Sequence, residues 1–218
     1  MSIAANVQGV LRTLPPGVML AAAAKTRTAQ EVNEAIAAGV RIVGENYLQD
    51  AEDVFDRVTK GARWHFIGHL QSNKVKRAVE IFDMIETVDS RKLAAEIEKR
   101  AASIDKIIDV LIEVNSAREA QKSGIFPEHV AELAESIASL PHLRLRGLMT
   151  MGPVGSDEHV LRACFRETKD IFDALAIRKD PRMCMDTLSM GMSDSYLIAI
   201  EEGANLVRLG TAIFGVRS

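Results

Sequence analysis

The stretch VMLAAAAKTRTAQEVNEAIAAG, residues 18–39, decides the fold. Val18 to Ala24 is an unbroken apolar run of strand length that stops at Lys25 and Thr26. Thr28-Ala29-Gln30-Glu31 then spells a capping box, in which a hydroxyl and a carboxylate satisfy backbone N–H groups at the start of a helix, and Gly39 supplies the residue that closes it. The reading is a strand followed by a helix.

The same unit recurs outward from there. Arg41 to Gly44 leads into a helix from about Tyr47, Trp64 to Ile67 into one from about Gln71, and Met84 to Thr87 into one capped by Ser90. Ile107 to Val114 is the longest apolar strand candidate, and Pro127 suits the first turn of the helix after it. Leu143 to Leu148 precedes a helix from about Asp157, Thr187 to Met190 precedes one capped by Ser193, and Asn205 to Leu209 is the last strand. Unbroken strand and helix alternation predicts an α/β protein, a single (β/α)8 TIM-type barrel rather than an open doubly wound sheet. Residues 2 to 12 add an extra N-terminal helix. No Pro/Ser/Gly-rich linker, repeat or low-complexity segment interrupts the pattern, so residues 1–218 read as one domain.

Composition agrees with this and removes several function classes. A chain that is 47% hydrophobic and 26% charged builds an aliphatic core and is not disordered. With 27 Lys plus Arg against 30 Asp plus Glu, the formal charge of -3 gives no electrostatic reason to expect nucleic acid or an acidic membrane as partner. Cys164 and Cys184 stand apart from any CxxC or His-containing zinc spacing, so neither a disulfide framework nor a metal site is expected. The start lacks a charged segment followed by a long apolar run, and no window approaches the roughly 20 apolar residues of a membrane span. The expected address is the cytoplasm.

Candidate chemistry gathers at one end of the expected barrel. Lys25 stands where the first strand meets its helix, the end at which barrel active sites are built, and shares a strand face with Ala23, Ala21 and Met19. It is either a surface lysine at a loop entrance or an amine whose desolvation favours the neutral form that attacks carbonyls. Ser189-Met190-Gly191-Met192-Ser193 after strand seven and Leu209-Gly210-Thr211 after strand eight occupy the two loops where such barrels often hold a phosphate. Arg208, inside the last strand, must either pair with a neighbouring Glu or face an acidic group or ring nitrogen of a ligand. An amine, a phosphate cradle and a guanidinium at one barrel mouth describe the requirements of pyridoxal 5′-phosphate (PLP).

Two further features read as structural. His65 and His69 are four apart, but Gly68 and a strand end lie between them, which favours hydrogen-bonded histidines over metal ligands. Met149, Met151, Met183, Met185, Met190 and Met192 crowd the C-terminal half, where they fill core gaps or line a pocket; core filling is the expectation. Dinucleotide, P-loop and hydrolase-elbow signatures are absent from the sequence.

With these residues in hand, the chain resembles the pyridoxal phosphate homeostasis proteins, also called the YggS or PROSC family. AAAAKT at 21–26, VGENYLQ at 43–49, WHFIGHLQSNK at 64–74, KSG at 122–124, GLMTM at 147–151, LSMGMS at 188–193 and VRLGTAIFG at 207–215 carry the resemblance in order over nearly the whole chain. The resemblance implies a fold-type III PLP-binding barrel similar to the barrel domain of alanine racemase, and a protein that buffers PLP supply with no established turnover. It implies that Lys25 forms the Schiff base with the cofactor and that Ser189, Gly191, Ser193, Gly210 and Thr211 lie in the segments around its phosphate. Arg208 matches the residue near the pyridine nitrogen, and Asn46 lies near the cofactor. Ala24 and Arg27-Thr28 depart from the commoner Ser before the lysine and Lys-Pro after it, and remove no group that the imine needs. Apo-enzymes that use PLP are the expected recipients and a monomer the expected state. The racemase's second domain, source of its catalytic tyrosine, has no counterpart before Ser218, so a small racemase-like enzyme is the alternative rather than the first reading.

Overall fold

The structure, a computed structural model, describes residues 2–153, 155, 157–178, 180 and 182–216. The capping box of residues 28–31 is formed: Thr28 Oγ1 accepts the Glu31 N–H while the Glu31 carboxylate accepts the Thr28 N–H, and helix α2 (Ala29–Ala37) follows. Before it lie α1 (Ile3–Thr13), capped by Ser2, and strand β1 (Met19–Ala23). After it come β2 (Ile42–Glu45), α3 (Leu48–Val54), β3 (Arg63–Phe66), α4 (Val75–Ile81), β4 (Met84–Val88) and α5 (Arg91–Ala102). The second half is β5 (Ile108–Glu113), α6 (Val130–Ala138), β6 (Leu143–Thr150), α7 (Glu158–Ala176), β7 (Met183–Met190), α8 (Tyr196–Glu201), β8 (Leu206–Leu209) and α9 (Thr211–Phe214). Every strand is parallel to its neighbours, and β8 pairs with β1, Ala21 opposite Arg208, which closes the barrel. Closure leaves no edge strand exposed.

Strand alternation then sorts side chains into two compartments. Ala22, Val43, Trp64, Phe66, Ile85, Val110, Ile112, Leu188 and Val207 face the helices and form the main core. Ala21 with Ile42 and Leu206, and Met84 with Leu111 and Met149, form separate clusters of opposite parity inside the barrel. At the N-terminal end of the strands Asp109 is almost fully buried and takes ion pairs from Arg63 at 3.0 Å, Arg144 at 2.6 Å and Arg146 at 3.0 Å. Three guanidinium groups satisfy a carboxylate that burial alone would penalise, and the polar plug seals that end.

The expected cap at Ser193 is corrected. Gly191 turns the chain at φ 89°, Ser195 and Tyr196 both donate backbone N–H groups to Met192 O, and Ser195 Oγ accepts the Met192 N–H, so an extra turn intervenes and α8 begins at Tyr196. Ser193 Oγ instead accepts N–H groups of Gly210 at 3.3 Å and Ala212 at 3.2 Å, tying the loop after β7 to the loop after β8. Strand β7 also starts earlier than Thr187, because Met183 pairs with Leu145 across a register shift that the local pattern does not reveal. Among the described residues no helix is long and apolar enough to cross a membrane.

Candidate functional site

Lys25 emerges from β1 at the C-terminal mouth of the barrel, exposed at the rim of a cavity of about 330 Å³. Lys25, Asn46, Ser193, Arg208, Gly210 and Thr211 all line that cavity, so six residues that the sequence scatters over almost the whole chain meet at one place. Met151 and Met192 line it too, whereas Met149, Met183 and Met190 are buried core. Met185, partly buried, packs against that core, so the methionine expectation holds for four of the six and not for Met151 and Met192.

Ser189 and Gly191 lie outside the lining. Ser189 is fully buried, accepts Arg208 Nη1 at 2.5 Å and donates to Glu86 Oε2 at 2.7 Å. Gly191 is required by the turn itself: at φ 89° a Cβ would stand 2.7 Å from Ala199 Cβ and 2.8 Å from Tyr196 Cα. Both build the wall from behind.

Below the cavity runs a buried polar chain. His65 Nδ1 donates to Glu86 Oε1 at 2.7 Å, Glu86 reaches Arg208 through Ser189, and Arg208 Nη2 donates to Thr150 O at 2.9 Å. Burial alone would raise the Glu86 carboxyl, but the hydrogen bond and charge of His65, with Arg208 and Ser189, hold it below its ordinary value. Burial lowers the Arg208 guanidinium, and Glu86 and Glu113 oppose that shift. Glu113 is pushed up to about 7 by burial and by Asp89, against the pull of Arg208. Of the two alternatives open for Arg208 in the sequence, the glutamate partner is present, Glu86 at 3.8 Å, and Arg208 also lines the cavity. His65 is a hydrogen-bonded histidine, as expected.

Glu86 and Glu113 escaped the sequence reading. The signal that exposed Arg208, a charge within an apolar strand, was present in MIETV at 84–88 and in IDVLIEV at 108–114. Glu45 is a third such residue: no solvent reaches it, neither carboxylate oxygen has a hydrogen-bond partner among the described residues, and burial with Asp50 pushes it up to about 8. A carboxyl raised in the folded state costs nothing below its unfolded value of 4.5 and destabilises the fold progressively as pH rises from there through about 8. Glu45→Gln should therefore melt with the wild type near pH 5 and above it at about pH 9 in thermal unfolding. Parallel melting curves at both values would show that Glu45 is ionised at no cost.

Fit to a phosphorylated ligand rests on Gly210. A Cβ there would meet nothing of the protein closer than Ala23 O at 3.5 Å, an ordinary contact, so packing does not demand glycine. The missing side chain leaves the backbone of this loop open to the cavity beside the hydroxyls of Ser193 and Thr211, with the Gly210 N–H itself held by Ser193 Oγ. An amine, small hydroxylic donors, an open backbone and a braced guanidinium suit a ligand with a carbonyl, an anionic end and a hydrogen-bonding ring.

Known proteins resemble this chain in sequence and fold. The family model described as "Alanine racemase, N-terminal domain" covers residues 1–218. A pyridoxal phosphate homeostasis protein of Vibrio cholerae is 42% identical over 205 residues, 92% of this chain and 86% of its own, and that of Escherichia coli K12 is 41% identical over 207 residues, 93% and 87%. The chain belongs to the pyridoxal phosphate homeostasis protein family. Among solved structures, PipY of Synechococcus elongatus with PLP bound superposes with a TM-score of 0.89 at 33% identity, covering 98% of this chain and all of that one. An alanine racemase of Clostridium difficile matches with a TM-score of 0.82 at 14% identity over 57% of its length, which shows that the homeostasis family and the racemases share the barrel.

Proposed function

We propose that this protein binds PLP reversibly and serves its intracellular supply, with Lys25 holding the aldehyde carbon as a Schiff base. The observation that carries the reading is the meeting of Lys25, Asn46, Ser193, Arg208, Gly210 and Thr211 on one cavity, in a chain whose relative PipY has been solved with PLP. The bound group supplies an electrophilic aldehyde, an anionic phosphate and a pyridine ring. Ser193, Gly210 and Thr211 would hold the phosphate, Asn46 would lie near the cofactor, and Arg208 would serve the pyridine nitrogen. A guanidinium pinned by Ser189 and Thr150 can donate there but not accept, which disfavours a protonated ring and weakens it as an electron sink. Binding and release follow more naturally from that than carbanion chemistry. In this reading the protein acts as a cytoplasmic monomer and its recipients are apo-enzymes that use PLP.

Titration with PLP and with pyridoxal, which lacks the phosphate, tests the assignment. Gly210→Ala should weaken PLP by roughly 10-fold, about 1.4 kcal/mol, with pyridoxal nearly unaffected and stability within about 0.5 kcal/mol of wild type. Gly191→Ala, which forces a Cβ into Ala199 and Tyr196 at positive φ, should cost about 2–4 kcal/mol of stability by denaturant unfolding. Equal affinity of the wild type for PLP and pyridoxal would remove the phosphate role from these loops.

A racemase-like enzyme is the second reading, and Glu113 is what favours it. A buried carboxyl pushed up to about 7 beside Arg208 is suited to proton transfer. Sustained interconversion of D- and L-amino acids by the purified protein, lost in Glu113→Gln, would establish it.

A further inference from the structure

The loop that carries Lys25 is held in an unfavourable shape from outside. Arg27 N–H donates to Ala24 O at 2.9 Å, so Ala24 to Arg27 form a β-turn with Lys25 and Thr26 at its centre. Thr26 sits at φ 61° while Lys25 keeps a negative φ, the pattern of a type II turn. That third position suits glycine, and a β-branched residue in the left-handed region is an outlier that surrounding structure must enforce.

Two contacts enforce it, both from the β2–α3 unit. Ala24 N–H donates to Gly44 O at 2.8 Å on one side of Lys25. On the other side Thr26 N–H donates to Asp50 Oδ2 at 2.7 Å. A carboxylate accepting a backbone N–H is a stronger acceptor than a carbonyl, and this is the one side-chain acceptor for the turn's inner amides among the described residues. Asp50 itself does not line the cavity.

We propose that Asp50 is a positioning residue for Lys25: its carboxylate pins the Thr26 amide, keeps the Ala24–Arg27 turn closed against its own preference, and so fixes the direction in which the Lys25 amine enters the cavity. This rests on the reading of Lys25 as the PLP-binding lysine. Removing the carboxylate lets Thr26 relax to negative φ and opens the turn. Placing glycine at position 26 makes the same turn favourable by itself and renders Asp50 dispensable. The prediction is therefore one of coupling, not simple loss.

The test compares wild type, Asp50→Ala, Asp50→Asn, Thr26→Gly and the double variant Thr26→Gly/Asp50→Ala. Amide hydrogen exchange of Arg27 reports turn closure without any ligand, because Asp50 does not touch that amide. Equilibrium binding of PLP reports what the turn does for Lys25. Asp50→Ala should speed Arg27 exchange at least about 10-fold and weaken PLP about 10-fold, while exchange in α2 stays unchanged. Asp50→Asn, which keeps an acceptor oxygen without the charge, should fall between, and the double variant should match Thr26→Gly in both readouts. Weaker PLP binding without faster Arg27 exchange, faster exchange without weaker binding, or failure of glycine to rescue each overturns the proposal. A wild type that binds no PLP overturns the reading of Lys25 instead, and the exchange data then stand as the test of the clamp alone.

Discussion

Lys25→Ala should lose the absorption band of the protein-bound imine and bind PLP on the order of 100-fold more weakly, about 2.7 kcal/mol, with no change in thermal stability. Position explains the combination. The side chain is exposed at the rim and makes no hydrogen bond or ion pair to the described residues, so its removal opens no core cavity and orphans no partner. What disappears is the only lysine amine that lines the cavity among the described residues, and with it the covalent hold on the aldehyde. The phosphate loops remain, so residual affinity for PLP should exceed that for pyridoxal. Lys25→Arg should behave like alanine, since a guanidinium keeps the charge but cannot form the imine. A mutant that retains the band would place the Schiff base on another lysine, and one that binds PLP as tightly as wild type would make the covalent step irrelevant to holding the cofactor. The measurement is a visible spectrum and a titration of each protein.

Glu86→Leu is the second large effect, expected to cost about 3–5 kcal/mol of folding free energy, much of what a domain of this size possesses. Glu86 is completely buried beneath the cavity and joins His65, Ser189 and, at 3.8 Å, Arg208. Without it the Arg208 cation remains in the interior with only Ser189, Thr150 and Glu113, whose carboxyl burial pushes up to about 7, to answer it. The double variant Glu86→Leu/Arg208→Met, which removes both charges for side chains of similar bulk, should recover most of the loss while abolishing tight PLP binding. That separation distinguishes a pair kept for the ligand from one kept for stability. The pH dependence carries a sign as well. Because the folded state holds the Glu86 carboxyl below its ordinary value, the contribution is complete above 4.5 and is lost as pH falls through the lower folded value. Wild type should therefore lose stability in acid faster than the double variant in parallel denaturant titrations; equal acid limbs would mean that Glu86 titrates no differently folded and unfolded.

Much of this molecule is written locally. The apolar run before Lys25, the capping box at Thr28, the cap at Ser90 and the helix start at Asp157 each depend on a few adjacent residues, and each is found in the structure, while Pro127 opens a short 3-10 turn, Pro127–His129, that leads into α6. Alternation of such units implied a parallel barrel, and a barrel implied that residues following its strands would share one mouth. Lys25, Ser193, Arg208, Gly210 and Thr211 could be nominated on that ground because strand ends are local features and the architecture gathers them, whereas Asn46 is implied only by the family resemblance. Ser193 shows the limit. A serine ahead of a helix looks like a cap, yet its hydroxyl is taken by Gly210 and Ala212, residues on the far side of the next strand.

Sequence alone thus determined the strand and helix order, the closed α/β architecture it favours and the lysine at the end of β1, because propensity, capping and periodicity act over a handful of residues. Tertiary structure alone decided which charges face which. Register shifts within β6 and its partners set which side chains enter the barrel, and a one-residue slip would send Glu86, Ser189 or Arg208 to the helix side instead. The brace beneath the ligand cavity, the neutral Glu45 and the grip of Asp50 on Thr26 all join residues on different strands and loops. Their energies come from burial and from distances between elements, and neither exists until the barrel closes.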